Sequence, residues 1–136
     1  MWRLLWAAME TGEREPIGAR IVEVPDDLLR FESRDPLSTF TAYVPIGSLA
    51  KGEALVMEGG SGKTIQCSLC HGADRKGLGP LPSIAGRSPG YMFRQLYDFQ
   101  HAARRGDWSP LMVQVVAKLE EQDLLAIVAY LTSRDP

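Results

Sequence analysis

The spacing of apolar positions along this chain changes character near residue 47. Before it, apolar residues come in short runs of β-type composition, Ile21-Val22-Glu23-Val24 and Phe40-Thr41-Ala42-Tyr43-Val44. Turn residues separate them, Pro25-Asp26-Asp27 and Arg34-Asp35-Pro36, and Pro16, Pro25, Pro36 and Pro45 punctuate the whole stretch. Residues 1–46 therefore read as an extended arm with a short strand pair. Its composition is generic, which favours a structural cover over a docking surface.

From Ser48 the period becomes helical. Leu49, Leu55 and Val56 fall near one face with Gly52 beside them, Ser48 is a candidate N-cap, and Gly59-Gly60-Ser61-Gly62 stops the helix. A short helix is expected over Cys67–His71, then a loop through Gly77, Gly79, Pro80, Pro82 and Gly86. Ser88-Pro89 opens another helix, cap then first turn, which carries Tyr91, Phe93, Leu96, Tyr97 and Phe99 and ends before Gly106. Leu124, Ile127, Val128 and Leu131 form an i, i+3, i+4, i+7 stripe, predicting a last helix from about Glu121 to Ser133. Its first turn is acidic through Glu120, Glu121 and Asp123, and Arg134 lies near its other end, as the helix dipole favours. Residues 47–136 thus read as one helical domain.

Composition adds mainly exclusions. The chain has 136 residues and a formal net charge of −2, so nothing electrostatic points to nucleic acid or an acidic membrane surface. No apolar run approaches the ~18 residues of a membrane span. Met1-Trp2-Arg3-Leu4-Leu5-Trp6-Ala7-Ala8-Met9 faintly resembles an export signal, but it is short and Glu10 and Glu13 follow at once.

The chemistry concentrates in Cys67-Ser68-Leu69-Cys70-His71, which uses both cysteines of the chain. Cys-x-x-Cys-His is the spacing of a c-type haem attachment site. Two thiols a short turn apart can each form a thioether with one of the two vinyl groups of a porphyrin, and the adjoining imidazole can ligate the iron. Two other readings use the same residues. A thioredoxin-like Cys-x-x-Cys belongs in a βαβ context, and the flanks here are Gly-rich turns and a Gly/Pro loop. A zinc site would have to gather Cys67, Cys70 and His71 with His101, the only other histidine, around one metal. Attachment of one covalent haem c, with its iron, accounts for the motif best. It implies an exported compartment, periplasmic in a bacterium, and with no complete signal visible the expectation is a trimmed or misassigned start.

The order of these segments resembles class I cytochrome c, closest to the small bacterial monohaem members, over about residues 47–133. The fold implied is all-α, built around one covalent haem, with the arm as an irregular, short-β extension. Leu81-Pro82-Ser83-Ile84-Ala85-Gly86-Arg87 is similar to the family's Pro-x-Leu-x-Gly segment, which gives the Pro82 carbonyl the role of accepting a hydrogen bond from the haem histidine, His71. Arg87 either faces a haem propionate or is an exposed loop arginine; both readings stand. The resemblance also pairs Gly52 with Tyr130 where the early and late helices cross. The family's Ser or Thr cap before the last helix is missing at Leu119-Glu120-Glu121.

The sixth iron ligand separates function classes. An electron carrier closes that position, usually with Met, whereas an open position admits small gases or peroxide. The candidates are Met1, Met9, Met57, Met92 and Met112. Met112, after Trp108-Ser109-Pro110 and before the last helix, resembles the family's ligand. Against this, Met112, Val115, Val116 and Leu119 also form a helical stripe, and Met92 remains an alternative as ligand. Leu78, Ile84, Tyr97 and Val116 are expected to form an apolar wall, with Trp108 near a propionate edge.

The function implied is single-electron transfer between transient redox partners, by an electron carrier and not an enzyme, as a monomer or as a subunit of a larger dehydrogenase or oxidase complex. A haem peroxidase or gas binder is the alternative if the sixth position is open. Gly59-Gly60-Ser61-Gly62-Lys63-Thr64 mimics a phosphate loop but has Met57 where the motif needs Gly, and reads as a turn. Arg94, Arg104, Arg105 and His101 read as a solvated helix face.

Overall fold

The computed structural model describes residues 16–136. The apolar start of the chain, with the candidates Met1 and Met9, lies outside them. Within residues 16–46 the expected strand pair forms: β1, Val22–Pro25, pairs antiparallel with β2, Phe40–Tyr43, in the register Val22 with Tyr43 through Pro25 with Phe40. Between them the turn residues hold a short helix that the sequence pattern did not show, α1, Leu28–Glu32. Asp27 starts it, because its side chain accepts a hydrogen bond from the Arg30 amide.

Five helices follow: α2, Ser48–Glu58; α3, Ser68–His71; α4, Pro89–Gln100; α5, Ser109–Val116; and α6, Glu121–Thr132. Ser48 is the first helical residue of α2 and not its cap. Gly47 holds the cap position with φ of 86°, a left-handed backbone that glycine adopts without a Cβ clash, and it makes no side-chain bond. Gly59 ends α2 in the left-handed conformation, and its amide donates to the Leu55 carbonyl. Ser88 caps α4 as expected. Helix α4 stops at Gln100, earlier than the distance to Gly106 suggested.

Helices α2 and α6 cross at Gly52. A Cβ at that position would lie 2.0 Å from the Ala126 carbonyl oxygen and 2.7 Å from the Tyr130 Cβ, so only glycine permits this approach. Leu55, Val56, Met92, Leu96, Phe99, Val116, Leu124, Val128 and Leu131 form the core between α2, α4, α5 and α6. Helix α6 is buried along nine consecutive residues, Asp123 to Leu131. A helix enclosed on every side needs cover beyond the core it faces. Residues 16–46 dock on the helical part: Ile21 packs against the core, and the Glu23 carboxylate accepts from the Ser88 hydroxyl at 3.1 Å and the Gly90 amide at 3.3 Å. Among the described residues no helix is long and apolar enough to cross a membrane.

Candidate functional site

Cys67 and His71 bracket the single turn of α3. The turn is closed by the His71 amide donating to the Cys67 carbonyl at 2.9 Å, and the Cys67 amide donates to the Val56 carbonyl, tying α3 to α2. Both thiols are free. Cys67 is half-buried against the core and Cys70 is exposed. Burial pushes the Cys67 thiol up to about 11, outweighing the positive charge of Arg75 nearby. A redox dithiol works the other way, with a nucleophilic cysteine whose pKa is lowered.

The His71 ring is buried and lies 2.8 Å from the Pro82 carbonyl through Nδ1. A carbonyl only accepts, so Nδ1 carries the proton and Nε2 is left with its lone pair. That tautomer and fixed ring plane suit a metal ligand. The loop carrying Pro82 is itself pinned, since the Ile84 and Ala85 amides both donate to the Arg75 carbonyl at 2.9 and 3.2 Å.

The methionines occupy distinct settings. Met92 is sealed in the core at 6% exposure. Met57, at the end of α2, has its Sδ 3.0 Å from Arg75 Nη1, which donates to it. Met112 is half-buried, packed against the core from within α5. The helical stripe over Met112–Leu119 is thus real helix as far as Val116, so Met112 sits on a helix and not in a loop. Ile84, like Cys67 and Met112, is partly buried against the core. Val116 lies wholly inside the core, whereas Leu78 and Tyr97 are exposed. Tyr97 is stacked between Phe93 and His101. Arg87 is exposed, with Nε 3.4 Å from the Ser83 carbonyl.

The donor set is two free thiols, one imidazole nitrogen and a thioether, and it fits a covalently attached haem. The segments that carry these groups also hold large apolar side chains without protein cover: Leu69, Leu78, Trp108 and Leu111 are all more than half exposed. A flat apolar group is what would take them out of water. Among the described residues no three His, Cys, Asp or Glu side chains gather as metal ligands, and His101 instead holds Nδ1 at 2.9 Å from the Tyr97 carbonyl. The zinc reading therefore finds no ligand set.

Two side chains escaped the sequence reading. Thr64, part of the phosphate-loop mimic, donates through Oγ1 to the Val115 carbonyl at 2.7 Å. Gln100, the last residue of α4, donates through Nε2 to the Val116 and Leu119 carbonyls at 2.8 and 2.7 Å. Lys63 of the same mimic pairs with Asp123. The segment is a structural turn, as its Met57 mismatch suggested, with its side chains turned toward α5 and α6.

Comparison with known proteins gives a consistent set of relatives. The family model for cytochrome c matches residues 49–135. The thiosulfate dehydrogenase electron acceptor of Stutzerimonas stutzeri (strain A1501) is 34% identical over 85 residues, which is 60% of this chain and 38% of that protein. Cytochrome c-554(548) of Halomonas halodenitrificans is 31% identical over 77 residues, 56% of this chain and 93% of that protein. Among solved structures, reduced recombinant cytochrome c4 from Pseudomonas stutzeri superposes with a TM-score of 0.60 at 28% identity, covering 68% of this chain and 51% of that one. The chain thus spans little more than a third of the first relative's length and about half of the solved one.

Proposed function

The chain belongs to the cytochrome c family, as a class I c-type cytochrome with covalently bound haem c and its iron, and on that premise we propose that it carries single electrons between redox proteins. Residues 47–136 form the haem domain and residues 1–46 an N-terminal arm, whose described part packs on that domain through Ile21 and Glu23. The chain holds one haem, attached at Cys67 and Cys70, because it contains no other cysteine. His71 is the proximal ligand, with the Pro82 carbonyl fixing its ring. Met112 is the sixth ligand.

The observation that carries the ligand assignment is the contrast between the described methionines. Met92 is enclosed in the core and the Met57 sulfur is engaged by Arg75, while Met112 lies at the core boundary on a helix beside the exposed Trp108 and Leu111. When bound, the haem supplies an iron that cycles between two oxidation states, and a His/Met pair raises its potential. The chain's own residues do the rest. His71 and Met112 would be the two side chains that ligate the iron. With the haem bound, Ile84, Tyr97 and Trp108 would flank it and help exclude water, and Arg87 would supply a positive charge toward its propionates. Transfer needs only a brief, small contact with each partner.

The name of the Stutzerimonas relative favours one particular partner class. A dehydrogenase that oxidises a small inorganic sulfur anion would hand its electrons to this chain, as a free acceptor or as a subunit. Covalent haem attachment supports an exported compartment for the protein, the periplasm in a bacterium. The reading competes with an open-site peroxidase or gas binder, and Met112→Ala tests it. The variant should keep its covalent haem, lose potential and bind carbon monoxide when reduced, whereas the native protein should not. Carbon monoxide binding by the native protein, or a variant with unaltered ligand binding and potential, would remove Met112 as ligand.

A further inference from the structure

Helix α5 is weak by its own resources. It has eight residues, and isolated helices that short are marginal in water. Trp108, at its N-cap position, offers no side-chain cap. Its last carbonyls lack intrahelical partners, as at any helix end. Here the last two of those carbonyls, and that of Leu119 in the turn that follows, are taken up from outside. Thr64 Oγ1 donates to Val115 O at 2.7 Å, and Gln100 Nε2 donates to Val116 O at 2.8 Å and to Leu119 O at 2.7 Å. All three bonds are part-buried, in surroundings where an unmade bond is costly.

The two donors come from opposite quarters. Thr64 stands three residues before Cys67, on the segment that carries the attachment motif. Its own backbone is fixed, with the amide donating to the Gly59 carbonyl at 3.1 Å. Gln100 closes α4. The same few carbonyls, three to seven residues beyond Met112, are therefore strapped to the thioether segment on one side and to α4 on the other. Any movement of α5 that withdrew Met112 would have to break these bonds.

We infer that Thr64 and Gln100 are positioning residues that hold Met112 on the iron by anchoring the C-terminal end of α5. The inference rests on the reading of Met112 as the sixth ligand. The test compares Thr64→Val, Thr64→Ser and Gln100→Leu in the full-length holoprotein, with Met112→Ala as reference. The probe is cyanide binding to the ferric form, which requires the sixth position to open. Loss of one such bond should speed cyanide uptake about tenfold in Thr64→Val and in Gln100→Leu. Thr64→Ser, which keeps the hydroxyl, should restore the native rate. Native uptake rates in Thr64→Val, even with a lowered melting temperature, would reduce these residues to general structural roles and overturn the inference. Should Gln100→Leu fail to load haem, the Thr64 pair decides alone. If Met112→Ala itself leaves cyanide uptake unchanged, the ligand reading fails first and takes the inference with it.

Discussion

Asp123 is fully buried, yet three donors meet its carboxylate. Lys51 Nζ lies 2.8 Å from Oδ1, Lys63 Nζ 2.6 Å from Oδ2, and the Glu120 amide donates to Oδ2 at 3.0 Å. Burial alone would push the carboxyl up; hydrogen bonds from Lys51, Lys63 and the Glu120 amide outweigh it and hold the group at about 2, against an ordinary 3.8. A depressed carboxyl contributes stability that is present above its unfolded value and is lost as pH falls through the folded one. That contribution is about 2 kcal/mol here, lost between pH values of about 4 and 2. Acid titration of the folded protein should show the loss in that window, and Asp123→Asn should flatten it while lowering stability at neutral pH by about 2 kcal/mol. An unchanged acid profile in the variant would show that other carboxylates control it. The same three bonds join residues from α2, the turn after it and the start of α6, so one side chain fixes the frame in which α3 presents Cys67 and His71.

At the scale of elements, the crossing of α2 and α6 depends on one missing methyl group. Replacing Gly52 with Ala gains about 1 kcal/mol in helix propensity. It also sets a Cβ 2.0 Å from the Ala126 carbonyl oxygen, a backbone atom that cannot rotate aside. Overpacking of this kind typically costs about 1–3 kcal/mol, with more where backbone must move, and the contact here is extreme. Gly52→Ala should therefore lower the thermal midpoint of the holoprotein; a rise would show that α2 and α6 slide apart without loss. The Gly59 stop and the Ser88-Pro89 start were legible in the chain because each rests on a local backbone requirement of a single residue type, whereas the α2–α6 crossing was legible only through the resemblance to class I cytochrome c. Helix α5 was only half legible. Its stripe competed with the reading of Met112 as the iron ligand, and what stabilises it arrives from Thr64 and Gln100, which lie 51 and 16 residues from their acceptors. No local pattern carries that information. Helix α1 was missed for a related reason: Asp27 is equally good turn chemistry and cap chemistry, and only the Arg30 amide decides between them. The start of α6 replaced the expected hydroxyl cap with acidic residues, the Asp123 carboxylate accepting from the Glu120 amide in a way that no Ser or Thr was needed to supply.

Across the described residues, segment 16–46 rests on the helical domain through Ile21, which packs against the core, and Glu23, which is bonded to the start of α4, while Leu28, Leu29 and Leu37 stay exposed. The segments that bear Cys67, His71 and Met112 are each tied to a neighbouring element, by the Cys67 amide on the Val56 carbonyl, the Pro82 carbonyl on His71, and Thr64 and Gln100 on the end of α5. Such ties suit a carrier whose metal site should change little between oxidation states. The central claim is that this chain holds a covalent, His71/Met112-ligated haem that takes up and releases one electron. The most direct test is a redox titration of the purified holoprotein followed by its visible absorption. The expected result is one reversible single-electron transition with sharp low-spin bands in both states. A high-spin spectrum in the resting protein, or a transition that splits or fails to reverse, would contradict it.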